Sequence, residues 1–388
     1  MLPSFVADSG TADRTIRLND VNVRSELLSQ LPLRENLRGL SPYGAPQIDV
    51  PIQLNVNENT HPLPQTVVDA IAEEVSKAAA TLNRYPDREF VELRELLAGY
   101  LGHDLDRENI WAANGSNEIL QQILQAFGGP GRSVMSFGPT YSMYPLLASG
   151  TDTEYIAGKR ADDFTLSAES AAAQVREHAP NIVFLCSPNN PTGTALGLDV
   201  IEAVYEAASE TKAMVIVDEA YAEFSLANTK SALSLLAGRQ RLIVSRTMSK
   251  AFGLAGARVG YLAAAPEVTD AIRLVRLPYH LSAVTQATAI AALKNVDLLL
   301  AQVEEIKTQR DRIVSTLTEL GLKPSVSDSN FVFFGGLEDP HAIWQGLLDA
   351  GIIIRDNGIA GTLRVTAGTE AETTAFLERL TELLSTQK

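Results

Sequence analysis

The chain has 388 residues, 45% of them hydrophobic and 20% charged, a balance ordinary for a soluble globular enzyme and a length too great for one ordinary core. Its net charge of −15 argues against nucleic acid or an anionic membrane surface as partner. A single cysteine, Cys186, rules out an intrachain disulfide and suits a cytoplasmic location, no apolar run approaches the ~18 residues of a membrane helix, and the five scattered histidines (His61, His103, His178, His280, His341) offer no local metal-ligand spacing.

Residues 1–25 are polar and irregular and read as a tail, with neither a basic region nor a long apolar core to suggest a secretory signal. Residues 26–55 form an arm, kept extended by its prolines through Leu40-Ser-Pro-Tyr-Gly-Ala-Pro46. Amphipathic helices are predicted over 63–75 and 90–101. A strand at 110–113 then runs through Asn114-Gly-Ser-Asn117 into a helix over 118–127. Short apolar runs at 133–137, 181–186, 213–218, 241–245 and 259–263 alternate with helical stretches. Strands apolar on both sides, interleaved with helices, predict an α/β fold: a large domain (56–285) with a mostly parallel central sheet covered by helices on both faces. The texture changes after 285: a helical region over 286–320, strands at 330–334, 351–355 and 362–366, a helix at 341–350 and a last helix predict a smaller α+β domain (286–388), completed by the N-terminal arm.

Polar residues recur just beyond the carboxyl ends of these strands, the edge where open α/β sheets bind ligands. The most telling is Ser245-Arg-Thr-Met-Ser-Lys250, followed by Ala-Phe-Gly-Leu-Ala-Gly-Ala-Arg258. A lysine among small residues past an apolar strand is placed to become a desolvated amine, the usual Schiff-base nucleophile. Thr247, Ser249 and Arg258 beside it could hold a phosphate, and carbonyl chemistry next to a phosphate site suggests pyridoxal phosphate. Asp218 closes a buried strand; it either caps the next element or pairs with a pyridinium nitrogen, which it would keep protonated. In Ser187-Pro-Asn-Asn-Pro-Thr-Gly193 the prolines and glycine fix a turn, so Asn189 and Asn190 are held rigidly; one satisfies the turn and the other can donate to a ring oxygen. Ser116 or Asn117 caps a helix whose N-terminal amides form an anion site. Tyr141 or Tyr144 could stack on a flat ring, although as isolated features either belongs to a core. Arg355 and Arg364 lie in late apolar strands and should pair with a protein carboxylate or a substrate anion. Cys186 reads as a small buried hydrophobe, Gly128-Gly-Pro-Gly-Arg-Ser133 lacks the ending of a nucleotide-binding P-loop, and Thr247-Met-Ser-Lys250 lacks the companions of an acyl-transfer motif.

With these residues in place, the chain from about 35 to 385 resembles the fold-type-I pyridoxal-phosphate aminotransferases of the aspartate aminotransferase superfamily: Asn189-Asn-Pro-Thr-Gly193, Asp218-Glu-Ala-Tyr221 and Ser249-Lys250…Arg258 fall in that superfamily's order. It is most similar there to the histidinol-phosphate aminotransferases, through Leu40-Ser-Pro-Tyr43, Leu54-Asn-Val-Asn-Glu-Asn59, Asn83-Arg-Tyr-Pro86, Pro139-Thr-Tyr-Ser-Met-Tyr144 and Leu363-Arg-Val-Thr366. It departs at Asn59-Thr-His-Pro62, where the family usually has proline directly after the asparagine.

The resemblance implies Lys250 as Schiff-base and proton-shuttle residue, Asp218 on the pyridine nitrogen, and Tyr221 and Asn189 on the ring oxygen. It implies Ser249, Arg258, Thr247 and the Ser116/Asn117 backbone on the phosphate, Tyr141 stacked on the ring, and Tyr85 reaching across a homodimer interface to the neighbouring cofactor. The implied reaction exchanges an amino group between L-histidinol phosphate and 2-oxoglutarate, giving imidazole acetol phosphate and glutamate in histidine biosynthesis. Arg364 helped by Arg355 would bind the substrate anion, and Tyr43 with Asn57 or Glu58 would close over the imidazole. An aromatic or broad-specificity aminotransferase and a non-catalytic cofactor-binding regulator are the alternatives.

Overall fold

The computed structural model describes residues 30–39, 44 and 47–386; the tail expected over 1–25 and Tyr43 lie outside the described residues. Contacts divide the chain between positions 42 and 43. The described part of the first unit holds one 3-10 turn, Glu35–Leu37, which contains no buried residue.

In the second unit a seven-stranded sheet is built from β2 (Ile110–Ala113), β3 (Ser133–Gly138), β4 (Glu154–Lys159), β5 (Ile182–Cys186), β6 (Met214–Asp218), β7 (Leu242–Thr247) and β8 (Gly260–Ala264), in the order β2-β8-β7-β6-β5-β3-β4. The ladders β4-β3-β5-β6-β7 are parallel, and β8 alone runs against its neighbours. Every residue of β5, β6, β7 and β8 is buried. Alternate side chains point to opposite faces, so both faces are covered, as the continuous apolar runs require. The edge strand β4 is not among the predicted elements. It buries only Gly158 and pairs with β3 alone, so it carries no apolar run to betray it.

Two smaller sheets complete the unit: β1 (Ile52–Gln53) pairs in parallel with β11 (Ile352–Ile353), and β10 (Phe331–Gly335) lies between β9 (Lys323–Pro324) and β12 (Leu363–Thr366), antiparallel to both. The helical region predicted over 286–320 is two helices, Ala283–Lys294 and Val296–Glu319. Asn295 separates them with φ −123° and ψ 26°, and its side-chain amide donates to the Ala291 carbonyl at 2.9 Å, the local competition with the helix ladder that asparagine makes. Within the second helix, buried Arg310 donates to the Phe224 carbonyl at 2.7 Å and ties the helix to the turn that follows Tyr221.

Candidate active site

The carboxyl ends of β2, β3, β5, β6 and β7 open into a cavity of ≈ 500 Å³. Asn57, Ser116, Asn117, Tyr141, Asp218, Tyr221, Thr247, Ser249, Lys250, Arg258, Arg355 and Arg364, scattered over three hundred positions, all line it. The parallel sheet explains the convergence: each strand delivers its next loop to the same edge.

Asp218 ends β6 opposite Ser245 of β7. Its carboxylate accepts from the Tyr144 hydroxyl at 2.9 Å and from the Ser245 hydroxyl at 3.0 Å, one donor per oxygen. Burial raises its pKa to about 6 against these two bonds. A buried carboxylate held there calls for a cation facing it from the cavity. The sequence left Tyr141 and Tyr144 open, and the structure separates them. Tyr144 is fully buried behind Asp218, whereas Tyr141 is half-buried on the cavity wall and donates to Asn117 Oδ1 at 3.1 Å.

Lys250 Nζ donates to the Val56 carbonyl at 3.1 Å. Burial, then the positive field of Arg364 and of Arg258, lower its pKa to about 8, with Glu58 pulling the other way. About a tenth of the amine is then neutral at pH 7, against roughly one in 2,500 for a free lysine.

Opposite it lies an anion cradle. The helix Ser116–Phe127 begins two residues before its predicted start, and its N-cap is Gly115, not Ser116 or Asn117; those two stand in the first turn, where backbone N–H groups are unpaired by the helix. Close approach explains the glycines: a Cβ on Gly115 would stand 2.5 Å from Arg258 Nη2, and one on Gly260 would stand 2.2 Å from the Ser116 nitrogen. Arg258, with left-handed φ 57°, lays its guanidinium over that helix start. Thr247 Oγ1 accepts from the Ser249 N–H at 3.1 Å and lies 3.0 Å from Ser249 Oγ, so the two hydroxyls stand together on the cavity wall. Helix amides, two hydroxyls and a guanidinium together suit a phosphate.

Arg364 is pinned: its guanidinium donates to Asn190 Oδ1 at 2.6 Å and to the Asn55 carbonyl at 2.7 Å, and lies 5.0 Å over the Phe331 ring. Arg355 exchanges both backbone hydrogen bonds with Arg364 and makes no ion pair among the described residues, which leaves its charge for a ligand. Cys186 is buried, its thiol pushed up to about 12 by burial, as expected of a small hydrophobe.

Three expectations need correction or fall elsewhere. Asn189 does not reach the cavity: it is fully buried, its amide donates to the Pro139 carbonyl at 3.0 Å and to Thr192 at 2.8 Å, and its oxygen accepts from Thr140 at 2.9 Å. Asn190, the next residue of the same turn, lines the cavity instead. Glu58 is exposed and does not line the cavity; it acts on Lys250 through its charge. Tyr85 also lies outside the cavity lining, 79% exposed and stacked on Tyr279 at 4.4 Å. Sequence reasoning missed Asn55, Val56, Tyr144 as a partner of Asp218, and Ser245. Ser245 had a signal, a hydroxyl within an apolar strand, but the register that sets it directly opposite Asp218 is a tertiary fact.

Comparisons with known proteins agree with this geometry. The sequence model described as aminotransferase class I and II matches residues 49–380. The chain is 75% identical to a histidinol-phosphate aminotransferase of Paenarthrobacter aurescens over 92% of its length and 96% of the relative's. It is 56% identical to one from Frankia casuarinae over 98% and 95%. Its fold superposes with a TM-score of 0.83 on the crystal structure of histidinol-phosphate aminotransferase from Sinorhizobium meliloti in complex with pyridoxal-5'-phosphate, at 28% identity over 92% of this chain and 98% of that one.

Proposed function

Because the chain belongs to the class I and II aminotransferases, and within them to the histidinol-phosphate aminotransferases, we propose that it exchanges an amino group between L-histidinol phosphate and 2-oxoglutarate with pyridoxal phosphate as cofactor. The observation that carries the proposal is one cavity lined by an amine of lowered pKa, a buried carboxylate and a phosphate-sized cradle that Gly115 and Gly260 keep open. Bound pyridoxal phosphate supplies the electron sink that makes the hydrogen on a substrate's amine-bearing carbon acidic. Ser249, Thr247, Arg258 and the first amides of Ser116–Phe127 would hold its phosphate, and Asp218 would keep a proton on its ring nitrogen. Tyr144 and Ser245 keep that carboxylate turned toward the cavity. Tyr141 would stack on the ring, and Asn190, in place of Asn189, would join Tyr221 in binding the ring oxygen. Lys250 Nζ would accept the proton from the substrate's amine-bearing carbon and hand it on, a task suited to an amine whose pKa is lowered to about 8.

Substrate choice rests on Arg364 and Arg355, whose paired charges suit a phosphate dianion in one half-reaction and a dicarboxylate in the other. Asn57 lines the cavity with its side chain turned to Tyr221 and Thr366. No helix among the described residues is long and apolar enough to cross a membrane. The exposed Tyr85–Tyr279 stack, with Leu274 and Leu277 87% and 73% exposed, suits a homodimer in which Tyr85 reaches the neighbouring cofactor. The separate sheets support a division into a large domain (56–285) and a small one (286–388).

Steady-state turnover of histidinol phosphate with 2-oxoglutarate, beside phenylalanine as donor, tests the assignment. Strong preference for histidinol phosphate and loss of turnover in Lys250→Ala are expected; equal turnover of both donors would assign a broad-specificity enzyme, and an active Lys250→Ala would remove the lysine from the chemistry.

A further inference from the structure

The segment Asn55-Val-Asn57 lines the cavity and makes three contacts in succession: the Asn55 carbonyl accepts from Arg364, the Val56 carbonyl from Lys250, and Asn57 Nδ2 donates to the Tyr221 hydroxyl oxygen at 3.0 Å. The hydrogens of the last contact can be assigned from the network. The Thr366 hydroxyl accepts the Asn57 backbone N–H at 3.1 Å and donates its own hydrogen to Asn57 Oδ1 at 3.2 Å. That bond fixes the amide with its oxygen toward β12 and its NH₂ toward Tyr221. Asn330 holds the Asn57 carbonyl at 3.1 Å, and the left-handed φ of 58° is one that asparagine tolerates. An amide nitrogen only donates. The phenol oxygen therefore accepts, and its own hydrogen finds no acceptor among the described residues and is left for the cavity that Tyr221 lines.

Resting on the cofactor assignment above, we propose that Asn57 is a positioning residue, and not a substrate contact: clamped by Thr366, it makes Tyr221 an obligate donor toward the cofactor's ring oxygen. A donor at that oxygen drains the negative charge that helps the adjoining Lys250 nitrogen keep its proton, so the bond lowers the pH at which that nitrogen titrates. The same amide bond also opposes the rise in the Tyr221 pKa, which burial takes to about 12, and so makes the phenol the better donor.

The test follows the pH midpoint of the cofactor's visible absorbance in substrate-free holoenzyme. Asn57→Leu removes the donor without adding charge; Asn57→Asp keeps the left-handed tolerance and the Thr366 bond but turns the donor into an acceptor. Each should raise the midpoint by about half a unit to one unit, the size of one hydrogen bond. On a Tyr221→Phe background N57L should leave the midpoint where Y221F alone puts it, and N57D should move it only by its added charge, hence less than in the wild-type background. An unmoved midpoint in a variant that binds the cofactor, or equal shifts with and without the phenol, would overturn the proposal. If one variant fails to fold, the other decides. A wild-type protein with no visible band would instead refute the cofactor assignment.

Discussion

Gly115→Ala tests the phosphate cradle most directly. Gly115 stands at φ 85° and ψ 163°, a region essentially reserved for glycine, so alanine there costs about 1–3 kcal/mol with or without cofactor. The added Cβ would stand 2.5 Å from Arg258 Nη2 and 3.2 Å from its Cζ, whereas carbon contacts settle near ~3.5–4.0 Å. The guanidinium must retreat by about 1 Å, enough to break a charge-assisted hydrogen bond of about 1.5–3 kcal/mol. Two separable readouts follow. Thermal unfolding of the cofactor-free variant should report the strain, and titration with pyridoxal phosphate should report a Kd weakened about 10- to 150-fold. Gly102→Ala is the control: its φ of 66° is also positive, but nothing lies within 4 Å of its Cβ position, so it should lower Tm and leave Kd alone. A G115A protein whose Tm falls but whose Kd stays within about twofold of wild type would refute Arg258 as a phosphate ligand.

The lowered pKa of Lys250 sets a pH dependence with a definite sign. Its neutral form is the nucleophile, so the rate at which cofactor-free protein captures pyridoxal phosphate should climb about tenfold per pH unit below about 8 and level off above it. Arg364→Gln should push that plateau to higher pH by removing the cation that, after burial, does most to lower it; a plateau unmoved by the substitution would contradict the electrostatic account. Arg310→Met leaves the buried Phe224 carbonyl without its 2.7 Å donor and should lower stability by about 1–3 kcal/mol, read as a fall in thermal midpoint at fixed protein concentration; an unchanged midpoint would show that the tie contributes nothing.

Much of the site could be read from the chain because its chemistry sits in short, contiguous stretches. Lys250 follows Thr247 and Ser249 within one turn of backbone and Asp218 directly ends an apolar run, so local spacing singled these residues out, and the family resemblance supplied the roles expected of them. Apolar runs buried on both faces likewise announced the central strands, while the edge strand β4, with one side open, left no such run. Only tertiary structure could choose between neighbours. Asn189 and Asn190 are equivalent as letters, yet one turn buries the first among Thr140, Pro139 and Thr192 and presents the second to the cavity. Tyr141 and Tyr144 are both aromatic and close in sequence, and their division into wall and support depends on the approach of β6. Asn57 meets Tyr221 across 164 positions and Thr366 across 309. Local sequence fixes which groups a strand or turn can offer. Register and the direction of each side chain decide which of them meet, and neither exists until the chain has folded.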